Sequence, residues 1–140
     1  MIRKHYSPRL QRRRSDRDGV AMVELAICLP ILLVILLATI EACAMLQVQQ
    51  NAVTSAYEGA RIAIIPGVDA SIVSQQCEML LDDRNISGYS ISMTPSDLST
   101  LMVGDSVKVT VNVDCSANSI FGGSHFEGRT ITESVVMLAE

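Results

Sequence analysis

Charge is missing where a soluble chain would spend it. Across the 140 residues, Leu25 to Ile40 carries no ionisable acid or base, and Val20 to Leu46 holds only Glu24 and Glu41. Metal-ligand patterns are missing too. There is no Cys-x-x-Cys among the four cysteines, and His125 is the only histidine outside the first eighteen residues. Structural zinc sites need such clustered thiolates or imidazoles, so no metal or other cofactor is expected. No catalytic signature stands out. His125 has no nucleophile in a recognisable pattern around it, and Gly122-Gly123 lacks the strand–turn–helix setting of a phosphate cradle. Asp82-Asp83 reads as a solvated helix end, and the chain is expected not to be an enzyme.

Basic residues are scarce beyond the start of the chain. Seven of the eleven (Arg3, Lys4, Arg9, Arg12, Arg13, Arg14, Arg17) precede residue 19, leaving four cations against thirteen carboxylates in the remainder. An acidic remainder repels phosphate, so nucleic acid is excluded as a partner. The basic stretch is a topology signal instead. Cations flanking a first span stay in the cytoplasm, which puts the acidic remainder outside.

What the chain does have is a long apolar run. Eleven of the sixteen residues from Leu25 to Ile40 are Leu, Ile or Val, contributing roughly −3 to −7 kcal/mol of insertion free energy. The window Val20–Leu46 exceeds the ~20 residues that cross a bilayer. Three readings of this N-terminus follow. A secretory signal could be cut after Ala42-Cys43-Ala44, but the apolar run is longer than the usual 7–15 residues and Glu41 abuts the small-residue triplet. An uncleaved anchor explains the hydrophobicity yet leaves Glu24, an ionisable group costly in lipid, without a purpose. Cleavage between Gly19 and Val20 accounts for more. It frees an ammonium on Val20 and makes Glu24 the fifth residue of the mature chain, where its carboxylate can meet a neighbouring subunit's terminal ammonium and fix register. Glycine suits the cleaved position, since a protease binds it extended and it has no Cβ.

The Gly-x-x-x-x-Glu pattern of Gly19–Glu24 behind a basic leader resembles the class III signal of type IV pilins and pseudopilins. Val23-Glu24-Leu25-Ala26-Ile27-Cys28-Leu29-Pro30, with its proline six residues past the glutamate, is similar to the head of TadE-like pseudopilins. Glu58-Gly59-Ala60-Arg61 resembles the segment that closes that family's long helix, and Gly128–Glu140 its closing strand. Glu41 precedes Ala42-Cys43, where many members have an aromatic and a glycine. The resemblance implies a minor pseudopilin of a tight-adherence (Flp-type) pilus system. Prepilin peptidase would cut at Gly19–Val20, and Glu24 would be the assembly carboxylate. Implied partners are a related pseudopilin, the Flp-type pilin and the inner-membrane pilus platform.

The expected organisation is a cytoplasmic leader (1–19), a transmembrane helix (20–46), a periplasmic helical extension (47–65) and a small α+β periplasmic domain (66–140). Pro66-Gly67 stops the long helix. Val48, Ala52, Ala56, Ala60 and Ile64 form an i, i+4 ridge for packing, either on the chain's own domain or on another helix. Asp69 is an N-cap for a helix from Ala70 to Asp83, with Val73, Cys77 and Leu80 inward and Ile72 and Met79 beside them. Alternation predicts strands at Tyr89–Thr94, at Ser106–Cys115 with Val107, Val109, Val111 and Val113 on one face, and at Arg129–Leu138, where Glu133 shares the parity of Ile131, Val135 and Met137. Phe121–Phe126 is a loop. In an oxidising compartment, two inward-facing thiols argue for a Cys77–Cys115 disulfide, the alternative being two buried free thiols. Cys28 and Cys43, in or near lipid, serve as small apolar residues.

Overall fold

The computed structural model describes residues 9–122 and 126–139. Arg3 and Lys4 of the leader, and Gly123, Ser124 and His125 of the expected loop, lie outside the described residues. The elements are a long helix α1 (Arg9–Ala63), a second helix α2 (Ala70–Asp82) and strands β1 (Tyr89–Thr94), β2 (Ser106–Asp114) and β3 (Thr130–Leu138). The strands form one antiparallel sheet in the order β1-β2-β3. The class is α+β, as the periodicities predict. Compactness divides the chain after Ile40, so that Glu41–Glu140 form one unit and Met1–Ile40 another. The part of α1 from Glu41 to Ala63 therefore belongs to the folded domain.

That domain is built on β2. Val107, Val109, Val111 and Val113 are all fully buried, because β2 is the central strand and its even-spaced valines point under the helices. Its register sets Val111 opposite Ile91 and Glu133, and Val109 opposite Met93 and Val135. The ridge of α1 covers this face. Val48, Ala52 and Ala56 cluster with Leu81, Ile86, Val111 and Val113, while Ala60 and Ala63 cluster with Val73, Cys77, Val107 and Val109. Rising residue number along α1 thus meets falling residue number along β2. The ridge packs on the chain's own domain, ending at Ala63 rather than Ile64, and its alanines bring the helix backbone close to the sheet.

Helix α2 begins at Asp69, whose carboxylate accepts the Ser71 N–H at 2.9 Å and so satisfies one of the orphan donors of the first turn. Its inward line is Val73, Cys77 and Leu81. Leu81 takes the place expected of Leu80, and Ile72 and Met79 are exposed. Asn85 and Gly88 take positive φ (55° and 66°) to turn the chain into β1. Asn118, in a 3-10 turn at Ser116–Asn118, locks that corner. Its side-chain amide donates to the carbonyls of Ser87 and Asp114, each at 2.8 Å, and its carbonyl accepts the Ser87 N–H. The facing of Glu133, which its parity left open, is settled by the fold: it shares the half-buried side of β3 with Ile131, Val135 and Met137. Its carboxylate accepts the Gln49 side-chain amide at 2.7 Å, so an acid on the sheet's helix-covered side has a donor from α1.

Candidate processing and assembly site

Gly19, Val20 and Glu24 lie on the part of α1 that precedes the folded unit. All three are exposed, and a Cβ placed on Gly19 would meet nothing within 4 Å. Their helical spacing fixes the geometry. Val20 and Glu24 stand four residues apart, on one face and about 6 Å along the axis. Should the chain begin at Val20, its first N–H groups would lack carbonyl partners, and a carboxylate near that end would be favoured by the helix dipole. Among the described residues Glu24 has no ion-pair partner. Gly19 is helical here, whereas a protease needs extended backbone. A glycine inside a helix lowers its stability by about 1 kcal/mol relative to alanine, which makes this the easiest local point to open.

The segment Glu58-Gly59-Ala60-Arg61 is explained by packing. A Cβ on Gly59 would overlap the Cys77 Sγ and touch the Cγ1 atoms of Val109 and Val73 at 3.4 and 3.6 Å. Glycine is thus what lets α1 and α2 approach at this level, and Ala60, fully buried beside it, continues the contact. Glu58 and Arg61 face outward as an exposed i, i+3 pair at 4.0 Å, an arrangement that contributes little.

The expected Cys77–Cys115 disulfide is corrected by the structure: both cysteines are buried free thiols. Cys77 Sγ donates to the Ser55 carbonyl at 3.4 Å, and the Ser55 hydroxyl donates to the Cys77 carbonyl at 3.2 Å. Burial pushes the Cys77 thiol pKa up, with the Ser55 hydrogen bond opposing and Glu78 adding a small rise. The two cysteines sit at different levels of the domain. Cys77 lies with Gly59 and Val109, while Cys115 is six residues farther along the β2 direction, about 20 Å at strand rise. A disulfide needs Cα atoms within about 7 Å. Facing inward was read correctly; the position along the strand was not.

The group that sequence reasoning missed is Glu41. It is 9% exposed, and its carboxylate accepts the backbone N–H groups of Ile120 (3.2 and 3.3 Å to the two oxygens) and Phe121 (3.2 Å). A charge left unexplained inside the apolar window is therefore the acceptor for a loop 79 residues away. The available signal was its isolation: Glu41 and Glu24 are the only charges between Val20 and Leu46.

Among the described residues, one helix is long and apolar enough to cross a membrane, and it is followed by a small α+β unit. The family model described as TadE-like protein matches residues 19–61, fewer than half of the chain's residues. The Gly19–Arg61 segment is TadE-like, which is the family its residues resemble, and this associates the chain with Tad pilus components in general. No curated protein and no solved structure matches the chain.

Proposed function

We propose that the protein is a minor pseudopilin that helps assemble a Flp-type adhesive pilus, or the secretion machine built on the same parts, and that it has no catalytic activity of its own. The observation that carries this reading is the match over Gly19–Arg61 on a helix whose entry holds a glycine and, five residues later, a lone exposed carboxylate. Prepilin peptidase cuts between Gly19 and Val20. The retained helix holds the mature protein in the inner membrane with its N-terminus cytoplasmic and its domain periplasmic, an orientation supported by the arginine-rich leader. Glu24 meets the new ammonium of a neighbouring subunit, a related pseudopilin or the Flp-type pilin, within the membrane platform.

Release near Ala44 fits less well. It would sever α1 and remove Glu41, which accepts two backbone N–H groups of the folded unit. The intact mass of the protein recovered from its native host separates the readings. A chain starting at Val20 supports the pseudopilin, one starting at Met1 an uncleaved tether, and one starting at Met45 a secreted protein.

A further inference from the structure

An exposed apolar loop of the folded unit is hydrogen-bonded to the first residue of that unit, Glu41. At 1.5 Å per residue, the ~30 Å hydrocarbon core of a bilayer is filled by about 20 helical residues. Counted from Val20, these end next to Ile40, where the compact unit begins at Glu41. On the membrane reading of α1, Glu41–Leu46, still apolar apart from the one carboxylate, would follow in the headgroup layer. Glu41 is the residue that accepts the N–H groups of Ile120 and Phe121. The Ile120 and Phe121 side chains are 58% and 53% exposed, and Ser116–Gly123 carries no charge.

We propose that Ile120 and Phe121 form a second membrane contact, seated at the boundary between acyl chains and headgroups of the leaflet the helix emerges from, with Glu41 as the tether that holds the loop at that depth. The occupant is lipid because the loop is bonded to Glu41, the residue that directly follows the uncharged run Leu25–Ile40, and because Ser116–Gly122 carries no charge that would favour water. A carboxylate near this boundary is costly when bare. Here two backbone donors satisfy it, and the same bonds cover two N–H groups that would otherwise face the interface unpaired. The inference rests on the membrane reading of α1.

The chain contains no tryptophan, so single substitutions report their own surroundings. The full chain is reconstituted in zwitterionic vesicles carrying bromine either near the headgroup end or deep in the acyl chains, as three variants: Phe121→Trp, Leu33→Trp and Val103→Trp. Val103 is 83% exposed and precedes the far end of β2, about 30 Å away at strand rise. Emission of Phe121→Trp is expected to be blue-shifted, quenched by shallow bromine and protected from iodide, with Leu33→Trp quenched by deep bromine and Val103→Trp open to iodide. If Leu33→Trp is quenched but Phe121→Trp behaves like Val103→Trp, the loop contact is wrong while the anchor stands. If Leu33→Trp is itself unquenched, the membrane reading falls and this inference with it. Adding Glu41→Ala to Phe121→Trp should abolish the shallow quenching, and Glu41→Gln, which keeps one acceptor oxygen, should retain part of it. Full quenching in Glu41→Ala would overturn the tethering role.

Discussion

Gly59 offers a test of the domain's packing that compares two effects of opposite sign. Replacing glycine by alanine in a helix gains about 0.8–1 kcal/mol of propensity. At this position the added methyl meets the Cys77 Sγ, with Val109 and Val73 closing the other sides. Overpacking a filled core costs about 1–3 kcal/mol, and the sulfur has little room to yield, since one χ angle positions it and it is bonded to the Ser55 carbonyl. The clash should win, so Gly59→Ala is expected to destabilise the domain by up to about 2 kcal/mol. Removing the sulfur reverses the sign: in a Cys77→Ala background the methyl enters vacated space, and Gly59→Ala should become neutral or stabilise by up to about 1 kcal/mol. The coupling between the two sites is then about 1–3 kcal/mol, within the range for residues in contact. Hydrogen exchange of the β2 amides, measured on the full chain in detergent micelles, reports the opening free energy, where tenfold in exchange rate is about 1.4 kcal/mol. Equal effects of Gly59→Ala in the two backgrounds would show that α1 and α2 do not meet at this glycine.

Three further outcomes are expected. Glu24→Ala should leave membrane insertion and cleavage at Gly19 largely intact while lowering co-purification with partner pilins; unchanged recovery with partners would count against an assembly role for the carboxylate. Because both thiols are free, a reductant should change neither the mass of the purified protein nor the protection of its β2 amides, and a loss of protection on reduction would restore the disulfide. Tyr89 donates its hydroxyl to Asp82 at 2.7 Å, which pushes its pKa from 10.0 up to about 12, burial and nearby acids adding to the rise. The folded value exceeds the unfolded one, so this contribution is complete below about pH 10 and disappears as pH climbs through about 12. Tyrosinate absorbance should show one late-titrating group that returns towards pH 10 in Asp82→Asn, and no such group in Tyr89→Phe.

The contrast between what could be read and what could not has a common physical origin. Periodicity reports which way a side chain faces, and where facing sufficed the expectation held: the four valines of β2, the alanine ridge of α1 and the Asp69 cap. Periodicity is weaker at telling i+3 from i+4 at the end of a short helix, so Leu80 was expected where Leu81 is buried. It says nothing about position along an axis. Cys77 and Cys115 both face inward at different levels, and the pairing failed on that missing coordinate. Glu133 needed Gln49 from 84 residues away, and Glu41 needed Ile120 and Phe121 from the far side of the sequence. No local pattern contains those partners.

The two glutamates of the apolar window show how far this distinction reaches. Both are isolated acids in an otherwise uncharged run, and composition gives them the same standing. Glu41 is buried in the folded unit and satisfied by its own chain, so its cost is met by folding and needs no second molecule. Glu24 is exposed and, among the described residues, has no ion-pair partner within its chain. In lipid, an acid either neutralises or acquires a partner. The fold supplies donors to Glu41, and the described residues supply no ion-pair partner to Glu24, which directs the search for an intermolecular contact to Glu24. Replacing Glu41 should therefore disturb the loop at Ile120–Phe121, whereas replacing Glu24 should leave the domain's hydrogen exchange untouched and alter only what the subunit joins.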